Sequence, residues 1–195
     1  MNKWITHTVI AIILLAFAFQ SDAYFWVLFP LVQGSLLIVA SLKGKPKVFK
    51  PSNKLLVIAV VSGVAIYLLF AIGKIMVVNL MPSMFEELTQ LYGLIKPETT
   101  WQTVLVFILI IPAEEWFWRG YVQKKISGSV MKRIWISVGL YALAHLASGS
   151  LLLVLAALLA GFVWAILYEY TKNMIVPLVS HLIFDLLLFV LFPLL

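Results

Sequence analysis

The chain has 195 residues, of which 64% are hydrophobic and only 11% are charged. Soluble domains have roughly a quarter of their residues charged, so this composition excludes a water-soluble globule and predicts an all-α polytopic membrane helix bundle. No cysteine is present, which excludes disulfides and thiolate metal sites. The net charge of +6 does not indicate nucleic-acid binding, because the basic residues lie between apolar runs and form no patch with interleaved aromatic residues.

Seven apolar segments have lengths of about 15 to 24 residues, near the roughly 20 that a helix needs to cross a bilayer. They cover residues 4–19, 24–42, 55–78, 101–121, 134–148, 151–170 and 174–195. The sequence therefore predicts one transmembrane domain, residues 1–195, with about seven transmembrane helices.

Residues 79–100 differ from the other segments because apolar and charged residues alternate at roughly helical spacing. This pattern is typical of an amphipathic helix that lies on the membrane surface. A solvated loop is the alternative.

The charges between the segments predict the orientation. Lysine and arginine cluster after the second, fourth and sixth segments, whereas most loop acids lie in the alternate loops. Cytoplasmic loops are enriched in basic residues, so we expect a cytoplasmic amino terminus. The short chain without extra domains favours a bacterial plasma membrane.

Six ionisable residues inside the later segments need an explanation, because a charge at a helix centre costs about 2.5 to 3.5 kcal/mol on insertion scales. Glu115 and Arg119 are four residues apart, so they share one helix face and neutralise each other. Glu114 points about 100° away from Glu115 and does not share that arginine as easily. Glu115 is thus paired with Arg119, and the carboxylate of Glu114 is left available.

The other three lie on two further segments. His145 follows Tyr141 by four residues, and Asp185 follows His181 by four residues, so each pair shares a helix face. A rise of about 1.5 Å per residue puts Glu114 and His181 roughly 10 Å, and His145 and Asp185 roughly 16 Å, from the predicted cytoplasmic ends. Three helices therefore bring ionisable groups to a similar level.

Three explanations fit these residue types. A structural polar network would join the helices to one another. A proton or ion path would use the same acids and imidazoles. A hydrolytic site would use a glutamate as general base and a histidine as acid or oxyanion donor.

The order of the motifs favours the third explanation. Glu114-Glu115-x-x-x-Arg119-Gly120, then Tyr141-x-x-x-His145, then His181-x-x-x-Asp185 follow one another on successive segments. This pattern resembles the CAAX-protease and bacteriocin-processing family (CPBP, also called Abi) of membrane-embedded glutamate proteases. The resemblance covers about residues 101–190, the expected catalytic core.

The resemblance implies an intramembrane endopeptidase that hydrolyses a peptide bond at or near the membrane. Glu114 and His145 would activate water, and His181 with Asp185 would stabilise the oxyanion. Glu115 and Arg119 would hold the site together, and Tyr141 stands where the family often has phenylalanine. The implied substrate is a peptide or a lipid-modified protein, while the oligomeric state is left open.

Asp185 raises a difficulty, because eukaryotic members of the family have asparagine there and an ionised carboxylate would repel an oxyanion. We expect Asp185 to be protonated, to donate through water, or to orient His181 instead.

Two alternatives are left open. Glu114, His145, His181 and Asp185 are all plausible zinc ligands, which would make the protein a membrane metalloprotease. The chain lacks His-Glu-x-x-His, so the sequence favours a site without a cofactor. The other alternative is a non-catalytic membrane protein associated with bacteriocin immunity or transport.

Overall fold

The computed structural model describes residues 3–195, and within that range the chain consists of helices and loops with no β-strand. Eight helices follow one another in this range. They are α1 (Lys3–Phe19), α2 (Phe25–Lys43), α3 (Asn53–Leu80), α4 (Pro82–Ile95), α5 (Thr100–Gln123), α6 (Val130–His145), α7 (Leu151–Thr171) and α8 (Ile175–Leu191). The predicted all-α class is confirmed.

Helices α2, α3, α5 and α7 are long and apolar enough to cross a bilayer, whereas α1 and α8 are shorter apolar helices. Large apolar side chains face outward along the bundle; Ile13 is 61% exposed and Ile108 is 73% exposed. Such a surface is stable against lipid but not against water. The chain is an integral membrane protein.

The helices agree with the seven predicted segments, with differences at the ends. Helix α6 begins at Val130 instead of residue 134, because the Ser129 hydroxyl caps it by accepting from the backbone N–H of Lys132. The segment 79–100 contains a helix, α4, and not a solvated loop. Its position on the membrane surface and the number of crossings stay predictions.

Close contact between α3 and α8 determines where α8 sits. A Cβ at Gly63 would lie 2.5 Å from the backbone oxygen of Ser180, so only glycine allows this approach. The Ser62 hydroxyl donates to the Ser180 hydroxyl at 2.9 Å, and Phe70 packs edge-on against Phe184. This contact fixes the depth in the bundle of His181 and Asp185, the two ionisable residues on α8.

A second contact joins α6 and α7 at the end of the bundle where α6 begins. The buried carboxylate of Glu169 accepts hydrogen bonds from Arg133, Lys172 and Gln123. This contact holds α6 and α7 together, and it therefore limits how far His145, at the other end of α6, can move relative to α7.

Candidate active site

Helix α5 carries three of the ionisable residues, and it is not a regular α-helix. Residues 106–110 and 115–123 form π-helical turns, with Pro112 between them. Proline has no N–H to donate to the preceding turn, and single π-helical turns are frequent at functional sites. Glu114 and Glu115 therefore lie where the helix changes from α to π geometry.

Glu114 lies inside the bundle with donors on both carboxylate oxygens. The Gln33 side chain on α2 donates to Oε1 at 3.0 Å, and the Tyr141 hydroxyl on α6 donates to Oε2 at 2.8 Å. The residue is only 6% exposed. A carboxylate has about four lone-pair sites, so two are left to accept from a further group.

Glu115 and Arg119 form the predicted pair, which is fully enclosed by protein. Arg119 Nη1 lies 3.2 Å from Glu115 Oε1, and Nη2 donates to the backbone oxygen of Gly161 on α7 at 3.2 Å. The guanidinium group lies over the ring of Tyr141 at 4.5 Å and near that of Trp164 at 5.3 Å. Arg119 therefore has an acidic partner and aromatic rings beside its guanidinium plane, whereas its Nε has no hydrogen-bond partner among the described residues.

Gly161 allows this arrangement because it has no side chain. A Cβ at this position would lie 2.9 Å from Cδ1 of Tyr141 and 3.2 Å from Nη2 of Arg119. Both distances are shorter than normal van der Waals contact. Tyr141 and Arg119 can therefore approach α7 only where a glycine stands.

His181 connects the enclosed pair to Asp185. Its Nδ1 lies 2.9 Å from Glu115 Oε1, and its ring stacks on Trp164 with 3.6 Å between the centroids. Its Nε2 lies 3.6 Å from Asp185 Oδ2, which is too long for a hydrogen bond. The orientation of the His181 ring is therefore set by Glu115 and Trp164 more than by Asp185.

His145 is the last residue of α6. Its Nδ1 lies 2.8 Å from the backbone oxygen of Tyr141, which can only accept, so Nδ1 donates and Nε2 carries the lone pair when the ring is neutral. The rings of Tyr141 and Phe19 pack against it, with centroids 4.6 and 5.8 Å away.

A cavity of about 470 Å³ brings these groups together. Its ionisable or phenolic lining includes Glu114, Tyr141, His145, His181 and Asp185. The rest of the wall is almost entirely aliphatic and aromatic, with contributions from α2, α3, α4 and α7. An apolar pocket with a few convergent polar groups is the usual form of a ligand site.

Glu115 and Arg119, the other two predicted site residues, lie behind this wall and not in it. Sequence reasoning missed Gln33 and Trp164, because it considered only ionisable residues within the spans. A glutamine inside the apolar segment 24–42 was a signal that could have been used. Lys74, which sequence reasoning did not assign to the site, also lines the cavity.

Among the described side chains, which leave out those of residues 1, 2, 22 and 82, no group of three or more histidine, aspartate or glutamate residues is arranged to hold a metal ion. Residues 96–187 match the model of a protein family described as "Type II CAAX prenyl endopeptidase Rce1-like". No curated protein matches the chain, and no solved structure does.

Proposed function

We propose that the protein is an intramembrane endopeptidase whose general base is Glu114, and the match of residues 96–187 to the Rce1-like family of type II CAAX prenyl endopeptidases supports this proposal. The resemblance inferred from the three motifs is confirmed over this segment, and the family is one of proteases. The finer assignment depends on one observation: Glu114 lines the same apolar cavity as His145, His181 and Asp185.

In the proposed reaction, water attacks the carbonyl carbon of the scissile peptide bond while Glu114 takes one of its protons. Donors already occupy one site on each Glu114 oxygen, which orients the remaining lone pairs towards the cavity. His145 Nε2 accepts from the same water. The C–N bond then breaks, and the proton held by Glu114 passes to the departing amine nitrogen.

The oxyanion would be stabilised by His181 and Asp185. In this arrangement the Glu115 carboxylate, which pairs with Arg119, accepts from His181 Nδ1. Nε2, on the cavity side, donates to the oxyanion when the ring carries its second proton. Asp185, which lines the same cavity, adds a second donor when its carboxyl group is protonated.

The cavity also supports the substrate class. Family membership implies peptide or prenylated substrates, and the long apolar wall offers space for a hydrocarbon chain beside the reacting groups. We place the protein in a bacterial plasma membrane with its amino terminus in the cytoplasm.

The decisive experiment is Glu114→Gln in the purified protein, assayed with a quenched fluorescent peptide that carries a prenylated CAAX terminus. Cleavage should fall by at least about 100-fold, the usual size of a general-base contribution. Glu86→Gln, an exposed carboxylate on α4, serves as the matched control and should cleave normally. Normal cleavage by folded Glu114→Gln protein would reject Glu114 as the general base, whereas absence of cleavage by the folded, unaltered protein would favour a non-catalytic role.

Chelation tests the zinc alternative. Cleavage should survive dialysis against a strong chelator, because the proposed mechanism needs only the side chains of this chain. Loss of cleavage that added zinc restores would instead assign Glu114, His145, His181 and Asp185 to a metal site.

A further inference from the structure

A second concave site lies at the end of the bundle where α1 begins and where α2 and α5 end. It has a volume of about 360 Å³ and is lined by Lys3, Trp4, His7, Lys43, Tyr121 and Lys125. None of these residues belongs to the candidate active site. Of the six described residues that line it, three are lysines and none is acidic.

The lysines come from three different elements, so their convergence is a tertiary feature. Lys3 starts α1, Lys43 ends α2, and Lys125 follows the end of α5. All three are exposed, and among the side chains that the structure describes none of them pairs with a carboxylate. Each alone is an ordinary interfacial lysine, but together they concentrate positive charge on one cleft.

Neighbouring contacts hold this cleft in shape. The Lys124 ammonium group donates to the backbone oxygens of Gly44 and Lys45, at 2.9 and 3.1 Å, and so ties the end of α2 to the end of α5. Gly44 packs so closely that a Cβ would lie 3.0 Å from Tyr121 Cβ. The cleft therefore exists before any ligand binds.

The floor of the cleft supplies uncharged hydrogen-bonding groups. His7 Nδ1 lies 2.6 Å from the hydroxyl of Tyr121, so one member of the pair donates to the other. Trp4, a residue type enriched at membrane interfaces, forms part of the rim. The outer faces of α1 and α2 carry exposed apolar side chains that would lie against acyl chains, including Val9, Ile10, Ile38 and Leu42.

We propose that this cleft binds the phosphate group of an anionic phospholipid, with Lys3, Lys43 and Lys125 around the phosphate and the acyl chains along α1 and α2. Basic pockets between transmembrane helices are a known form of lipid headgroup site. A free phosphate ion would satisfy the lysines equally well but would leave the adjoining apolar surface unused.

The test measures binding of short-chain phosphatidylglycerol to the full-length protein in a non-ionic detergent, by native mass spectrometry and by thermal stability. Phosphatidylglycerol should bind and raise Tm, and high salt should weaken both effects. Short-chain phosphatidylcholine and inorganic phosphate should bind at least about tenfold more weakly.

The Lys43→Gln/Lys125→Gln double variant should bind phosphatidylglycerol roughly 30-fold more weakly. Lys50→Gln/Lys54→Gln is the matched control, since it removes the same charge from exposed residues near the same end of the bundle but outside the cleft. Tyr121→Phe, which keeps the ring, should weaken binding about threefold.

Three results would overturn the proposal. Equal losses in both double variants would mean that binding depends on general surface charge. Inorganic phosphate binding as tightly as phosphatidylglycerol would make this a site for free anions. Binding of an acidic peptide without binding of lipid would assign the cleft to a protein partner.

Discussion

Glu114 and Glu115 are adjacent in the chain, yet their carboxylates lie in two different regions of the molecule. Glu114 belongs to the cavity wall, with two uncharged donors and space in front of it. Glu115 belongs to an enclosed ion cluster, which consists of Glu115 and Arg119, has a fully buried carboxylate, and is contacted by His181 from the cavity wall. The π-helical turns that begin at Glu115 separate the two environments.

This difference shows how one helix, α5, can carry both a residue suited to react and a residue that stabilises the fold. A charged group that reacts needs unoccupied lone pairs and access for water, whereas a buried charged group that stabilises needs a partner of opposite charge, which Arg119 supplies to Glu115. Variants in the enclosed ion cluster should therefore reduce stability first, and variants in the cavity wall should reduce activity first.

The largest effect is expected for Arg119→Met. Removing the guanidinium group leaves the Glu115 carboxylate buried without its partner, which typically costs about 3 to 5 kcal/mol. Chemical denaturation in detergent should show a fall of that size in the free energy of unfolding. Arg133→Met, which breaks a partly exposed pair with Glu169, is the control and should cost much less. Equal losses of unfolding free energy in both variants would mean that the enclosed ion cluster contributes no more to stability than the partly exposed pair.

Gly161→Ala should have the next largest effect. The added methyl group would press on Tyr141 and Arg119, and overpacking of this kind costs about 1 to 3 kcal/mol. Because Tyr141 also donates to Glu114, cleavage should fall together with Tm. The control is Gly139→Ala on α6, where a Cβ meets open space. An unchanged Tm in Gly161→Ala would show that α7 can move away from the cluster without loss.

Gln33→Leu tests the cavity wall from α2, the helix whose glutamine donates to Glu114. It removes the donor to Glu114 Oε1, and hydrogen bonds to charged groups contribute about 1.5 to 3 kcal/mol. We expect kcat to fall about tenfold or more while KM and Tm change little, because Gln33 positions the base and does not touch the substrate. Gln90→Leu, an exposed position on α4, is the control. A change in KM alone would assign Gln33 to substrate binding.

The smallest effect is expected for Asp185→Asn. Glu115 and Trp164 already orient His181, and an amide can donate to the oxyanion in the same way as a protonated carboxyl group. Cleavage should stay within about threefold of the original rate, whereas Asp185→Leu, which has no donor, should lose about 100-fold. A comparable loss in Asp185→Asn would mean that an ionised Asp185 orients His181 after all.

The sequence was sufficient for the helical class, for the Glu115–Arg119 pair and for the motifs that identify the family. Their signals are strong because hydropathy and four-residue spacing act along one helix. The description of Glu114 as the available carboxylate was incomplete, since it takes hydrogen bonds from Gln33 and Tyr141 on two other helices. Contacts between distant segments have no signature in a single sequence.

The π-helical turns of α5 were also beyond sequence reasoning. Their positions depend on how Pro112 and the packing of neighbouring helices redistribute backbone hydrogen bonds. The role of Trp164 was hidden for a similar reason: an aromatic residue in an apolar span is ordinarily a packing residue, and only the fold brings it onto His181.

The lengths of α1 and α3 have a consequence for the surrounding bilayer. Helix α3 has 28 residues and α1 has 17, so at about 1.5 Å per residue their axes measure roughly 42 and 26 Å. A hydrocarbon layer about 30 Å thick is too thin for α3 if that helix stands upright, and it is too thick for α1. Lipids around α1 must therefore be compressed while those around α3 are stretched, unless α3 tilts. The protein should accordingly carry a gradient of membrane thickness around its own perimeter.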